Sequence, residues 1–304
     1  MLKLSSTSGN SKAKQRTALA DLFALVDTDY YKSLLHQIAI PRHYVAEPDN
    51  NRKIADWLET EFTSYGLKTR RQGQYDNIIA SRLDDPTQAR VCIGAHYDSV
   101  PGCPGADDNG SAVAGMLGAA RLLSQCGDLP VVYVAFNREE DGFLGSLDFV
   151  QNYLAPADHK LEVAHILEMI GYCDTRPGTQ SVPDGLPLDL GECGDFLGVI
   201  CNDTSNHFAD GLIQIAEQDC PQLPVKTLQV YQGLEHHVTH LLRSDHSAFW
   251  RSGLPATMWT DTSEFRNSNY HQAGDTPDTL DYEYLQKVTE LLVCHTMAVV
   301  DYRL

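Results

Sequence analysis

The sequence predicts an α/β fold, with a mixed, mostly parallel central sheet flanked by helices on both faces. Three observations predict it. Short apolar runs alternate with segments of helical periodicity along the chain. The run Val131 to Phe136 is apolar at every position, as a central strand covered on both faces requires. The residues able to do chemistry fall just after such runs, at the strand ends where open α/β sheets build their sites.

In order, residues 1–17 read as a polar N-terminal tail and residues 18–304 as a single catalytic domain. Apolar residues at helical spacing from Leu22 to Ile38 predict a first helix, which Pro41 stops. A second helix runs from about Asn50 to Tyr65, with Gly66 placed to end it. Strands follow over 68–71, 77–82 and 89–95. The Ala/Leu-rich stretch 112–123 is a helix, 131–136 a strand, 145–153 a helix and 164–167 a strand. Residues 173–203 lack periodicity and are expected to form a long functional rim. A helix over 206–218, a strand over 225–230, a short helix over 246–251 and a strand over 255–259 come next. A closing helix spans 282–302.

With 304 residues the chain can bury a large core, and its 42% apolar and 21% charged content is ordinary for a globular protein. The formal charge of −18 repels phosphate backbones and anionic lipid, so neither nucleic acid nor membrane is expected as a partner. No stretch reads as a membrane span, and no signal peptide is visible. The expected location is cytoplasmic, or exported with a leader outside this sequence. The eight cysteines form no CxxC pair and read as mostly free thiols. A Cys193–Cys201 or Cys173–Cys193 bridge is the alternative if the protein is exported.

The chemistry concentrates after the strands. His96 and Asp98 follow Val91-Cys92-Ile93, and Asp107 and Asp108 open the next helix. Glu139 and Glu140 follow Phe136, Glu168 follows Leu167, and His271 lies in the loop after Trp259. Imidazole and carboxylate without thiolate suit zinc in an open catalytic site. Two histidines and several acids suffice for two metals sharing one carboxylate, which together activate water and polarise a carbonyl. The Glu139-Glu140 pair offers one ligand and one general base. Ser99 and Ser111 lack a GxSxG elbow, which argues against a serine mechanism. His236, His237 and His240 do not form HExxH and are weak candidates, for the rim or a substrate contact before a metal.

The blocks Gly94 to Ser99, Gly105 to Ser111, Glu139 to Gly142, Leu167 to Gly171 and Tyr270-His271 resemble those of the two-zinc aminopeptidases. That family includes bacterial leucyl aminopeptidases and glutamate carboxypeptidase II, with glutaminyl cyclases as cousins. The resemblance implies a zinc-exopeptidase (phosphorylase/hydrolase-like) fold and Zn2+ as cofactor, two ions per chain or one as the alternative. It implies a zinc-dependent aminopeptidase acting on peptides with a free N-terminus. His96, Asp107, Glu140, Glu168 and His271 would be the ligands, with Asp107 shared between the metals and Asp108 as its rival. Glu139 would be the general base, Asp98 would orient His96, and Tyr270 would stabilise an oxyanion. A cis peptide is implied after the shared Asp, at Asp107–Asp108. The family mostly has Asp where this chain has Glu168. The alternatives are a one-zinc glutaminyl cyclase, disfavoured by Tyr270 where cyclases carry Trp, and a carboxypeptidase using Arg138, Arg243 or Arg266. A binding domain that lost its metals is disfavoured because every ligand position keeps a metal-competent residue.

Overall fold

The computed structural model describes residues 1–8 and 17–303. Strand β1 (Leu2–Ser6) lies along a sheet edge, so the expected tail is corrected there; residues 9–16 lie outside the described residues. The single helix expected over 22–38 is two, α1 (Thr17–Phe23) and α2 (Thr28–Ile38). Asp27 divides them: its side chain accepts the Tyr30 backbone N–H and caps α2. Helix α3 (Pro48–Ser64) begins on a proline, whose missing N–H costs nothing in a first turn.

Strands β2 (Lys68–Gln72), β3 (Asn77–Ser81) and β4 (Val91–His96) precede helix α4 (Ala112–Leu123). Then come β5 (Val131–Phe136), α5 (Leu144–Asp148) and β6 (Val163–Glu168). The stretch expected as one long loop contains β7 (Leu197–Cys201), a buried five-residue strand too short, and too interrupted by Gly198, to show a period. Helix α6 (His207–Asp219), β8 (Val225–Val230), α7 (His246–Arg251), β9 (Ala256–Thr260) and α8 (Tyr282–Val299) complete the chain.

The nine strands form one sheet in the order β1-β8-β7-β9-β6-β4-β5-β3-β2. Its centre, β9-β6-β4-β5, is parallel throughout. Antiparallel pairing enters at β7 and β3 and at both edges. Side chains of β5 alternate between two cores: Val131, Tyr133 and Ala135 pack with α2, α3, α4 and α8, while Val132, Val134 and Phe136 pack with α7 and the segment after α5. Gly94 permits this at the centre, because a Cβ there would lie 2.6 Å from the Phe136 ring. The parallel centre brings the carboxyl ends of β4, β5, β6 and β9 to one edge, and the site is there.

Candidate metal centre

His96 ends β4, Glu168 ends β6, and Glu139-Glu140 follow β5 after two residues. Asp108 lies in the turn before α4, and His271 in the loop after β9. The Asp108 carboxylate stands between the two histidines. Its Oδ1 is 3.4 Å from His96 Nε2, and its Oδ2 is 3.1 Å from His271 Nε2. Glu168 Oε2 is 3.5 Å from His96 Nε2, and Glu140 Oε2 is 3.3 Å from His271 Nε2. Three groups have their ligand atoms within 4.8 Å of one another, His96–Asp108–Glu168, Asp108–Glu140–His271 and His96–Glu139–Glu140, and the first two triads share Asp108. Glu139 stands beside both, its Oε2 at 3.9 Å from His96 Nε2.

Asp107 is not in this cluster; Asp108 takes the place expected of it. Asp107 Oδ1 accepts the Gly171 N–H at 3.0 Å, and Oδ2 accepts the Asn267 amide at 2.7 Å. Its carboxylate is thereby spent on bracing the loops after β6 and β9. The cis peptide likewise falls one residue later than expected, at Asp108–Asn109. Adjacent acids in a turn point in different directions, and residue type alone does not say which one faces the cleft.

The supports are dense. Asp98 lies 3.4 Å from His96 Nδ1, an ion-pair contact without hydrogen-bond geometry, and accepts the backbone N–H groups of Glu139 and Glu140. It therefore ties the end of β4 to the end of β5. Asn109 brackets Glu168, donating to Leu167 O and accepting from Met169 N. Ser244 Oγ donates to Glu168 Oε2 at 2.7 Å, which fixes that side chain. Asp275 accepts the N–H groups of Asp107 and Asp108. Ser111 donates to Asp107 O and accepts from Ile170 N, which leaves it no nucleophile's freedom.

The electrostatics call for cations. Burial alone would lower the His96 pKa, but Glu139, Glu168, Asp108 and Asp98 hold it well above the usual range. Burial would also lower His271, yet Asp108 and Glu140 raise it to about 10. Burial pushes Glu140 up to about 7, helped by Asp108, and pushes Glu139 well above the usual carboxyl range. Within this cluster, both ring nitrogens of His96 and Glu140 Oε1 are buried without a hydrogen-bond partner. Such atoms are costly unless something completes them. Imidazole and carboxylate donors with orphaned, inward-facing atoms fit divalent zinc.

The sequence profile of Peptidase family M28 matches residues 77–296, well over half of the chain. An Escherichia coli protein, "Uncharacterized protein YfbL", is 33% identical over 265 residues, 80% of this chain and 78% of that one. The chain belongs to peptidase family M28. This M28 chain is thus a zinc metallopeptidase, a hydrolase of peptide bonds. Among solved structures it is similar to the Legionella pneumophila LapA aminopeptidase (TM-score 0.72, 20% identity, 95% of this chain and 76% of that one). BSAP, a zinc aminopeptidase from Bacillus subtilis, gives a TM-score of 0.54 at 26% identity, over 74% of this chain and 50% of that one. A Porphyromonas gingivalis glutaminyl cyclase shares the fold, with a TM-score of 0.62 at 21% identity over 89% of this chain and 98% of that one.

Beside the M28 metal centre opens an apolar cavity of about 110 Å3. Glu168 and Tyr270 line it together with Phe196, Ile200, Met258 and Phe265. Tyr270 stacks on His271 at 3.8 Å between ring centroids, and its hydroxyl oxygen accepts from Arg243, itself paired with Glu264. Arg138 pairs with Asp141, and Arg266 spends its donors on Gln180 Oε1, Tyr172 O and Phe196 O. His236, His237 and His240 belong to none of the metal-competent groups found among the described residues. All eight cysteines are free thiols. Sequence reasoning did not single out Asn109, Ser244 or Asp275 for these contacts. Of the three, Asn109 carried a signal, through its place in the block Gly105 to Ser111.

Proposed function

We propose that this M28 peptidase is an aminopeptidase that removes apolar N-terminal residues. The observation that carries the reading is the pair of triads sharing Asp108, with Glu139 beside them and an apolar cavity starting at Glu168 and Tyr270. His96, Asp108 and Glu168 would hold one zinc, and Asp108, Glu140 and His271 the other. Bound zinc supplies Lewis-acid polarisation of the scissile carbonyl and acidifies water. The carboxylate of Glu139 takes the proton of the attacking water and delivers it to the leaving amine. Burial raises the proton affinity of Glu139, which suits a group that must hold a proton between two steps. Asp98 keeps His96 oriented. Tyr270, with its oxygen occupied by Arg243, has its own O–H free to turn to a developing oxyanion.

The free amine of a substrate is a cation and would sit among these acids. The cavity supports an exopeptidase with an apolar preference, because about 110 Å3 is room for one side chain. An apolar cavity of roughly 150 Å3 takes a benzene ring. A carboxypeptidase reading finds no support in Arg138, Arg243 or Arg266, which are all engaged as described above. The test is a chelator-sensitive assay on leucyl, phenylalanyl, glutamyl and lysyl nitroanilides beside a glutaminyl peptide. Hydrolysis of the first two, lost on chelation and restored by zinc, is expected. Cyclisation of the glutaminyl peptide without hydrolysis would overturn the reading.

A further inference from the structure

Arg42 is fully buried, yet no carboxylate bonds to it among the described residues. An isolated buried charge costs several kcal/mol unless its donors are satisfied. Here peptide carbonyls satisfy them. Nε donates to Tyr97 O at 2.6 Å, Nη2 to Gly105 O at 2.9 Å, and Nη1 to Pro104 O and Ile40 O. The Arg42 backbone N–H donates to Ser99 Oγ, which in turn donates to Cys103 O. One side chain therefore gathers both ends of the loop 97–105. That loop is the whole connection between His96 and the turn bearing Asp108.

The anchor continues toward β5. Asn51 donates to Arg42 O at 2.9 Å and exchanges paired amide bonds of 3.0 Å with Asn137. Asn137, two residues before Glu139, also donates to the Tyr97 hydroxyl at 2.7 Å. On the loop side, Gly105 is left-handed (φ +60°), and a Cβ there would lie 2.9 Å from Arg42 Nη1 and 2.4 Å from Asp108 O. The space has been cleared for the guanidinium to reach the carbonyls.

We propose that Arg42 is the positioning residue of the metal centre: its fork of donors holds loop 97–105 closed before metal arrives, so that His96 and Asp108 are presented at fixed separation. This rests on the reading of those two residues as ligands. The guanidinium also sits near Asp98, Asp108 and Asp275, so its charge opposes an incoming cation. The two effects have opposite signs. Preorganisation predicts weaker zinc binding when Arg42 is replaced, whereas charge repulsion predicts tighter binding.

Two measurements decide. Amide hydrogen exchange on the chelated wild-type protein should show residues 97–111 already protected, with rates within about threefold of the zinc-loaded protein. A loop that exchanges like free peptide until zinc is added overturns the proposal, and this needs no variant to fold. Zinc dialysis of R42M and R42K should then give affinities about 10–100-fold weaker than wild type, the range for losing a ligand's orienting partner. R42K keeps the charge but not the fork, so it should resemble R42M. Unchanged or tighter binding in R42M, or full rescue by R42K, overturns the proposal. A wild type that binds no zinc would sink the ligand reading; faster exchange over residues 97–111 in chelated R42M than in chelated wild type would still support Arg42 as the loop's anchor, and equal exchange would overturn it.

Discussion

Two buried polar clusters in this molecule have opposite characters. The metal centre gathers two imidazoles and four carboxylates and leaves His96 Nε2 and Glu140 Oε1 without partners among the described residues. The second cluster, His165, His295, Thr257 and Trp259, is closed. His165 Nδ1 meets Thr257 Oγ1 at 2.8 Å, and its Nε2 meets His295 Nδ1 at 3.2 Å. Trp259 Nε1 donates to the same threonine. Both clusters are buried, and both put histidine on or against β6. What separates them is satisfaction. A cluster that completes its own hydrogen bonds is architecture, and one that leaves aimed atoms orphaned awaits a ligand.

The sharpest way to test the open cluster is to remove its base while keeping its ligands. E139Q should retain zinc by dialysis and lose about 10²–10⁴-fold in kcat, the usual contribution of a general base. Near-normal turnover would return Glu139 to a passive role. The adjacent acids offer the next contrast. D108N neutralises the carboxylate that both triads share and turns one of its oxygens into an amide nitrogen, so it should weaken zinc at both. D107N keeps the triads and instead weakens the bracing to Gly171 and Asn267, so it should bind zinc within a fewfold of wild type and unfold at lower temperature. If D107N loses metal as fully as D108N, the division of labour between the two is wrong. A smaller effect is expected at Glu168. S244A removes the hydroxyl that fixes Oε2 and should weaken zinc about tenfold without changing the fold.

The legibility of this molecule in its sequence follows the same divide. The parallel centre was readable because β5 is apolar at every position and β4 and β6 are short, mostly apolar runs of strand length, β6 interrupted by His165. β1 and β7 were not, since five residues at or near a sheet edge carry too little pattern and owe their strand state to pairing with β8 and β9. His96, Glu139, Glu140, Glu168 and His271 could be named because each follows a strand and their chemistry agrees. The choice of Asp108 over Asp107 could not, because it depends on which way a turn faces, set by partners at Gly171, Asn267 and Asp275 far along the chain. Arg42 was legible only as the residue after the proline that ends a helix. Its carbonyl partners have no sequence signature at all.

The closed cluster should respond to acid rather than to chelators. Burial holds the His165 pKa well below its usual value, with His295 adding to the effect, and burial lowers His295 to about 4. The unfolded chain takes up those protons near pH 6.5, whereas the folded chain does not. The contribution is therefore complete above about pH 6.5 and is lost as pH falls toward 4, at about 1.4 kcal/mol per pH unit for each histidine. Burial pushes Glu140, Asp275 and Asp245, the last a buried acid close enough to feel the charges of His96 and Glu168, up to about 7, so those acids act with the opposite sign over the same range. A single stability profile would mix the two. Comparing wild type with H295L by urea unfolding in excess chelator cancels the metal region, which both proteins share. The stability advantage of wild type over H295L should shrink by about 2 kcal/mol between pH 6.5 and 5. A pH-independent difference would mean that His295 is not held neutral, and that the closed cluster carries a charge its hydrogen bonds do not show.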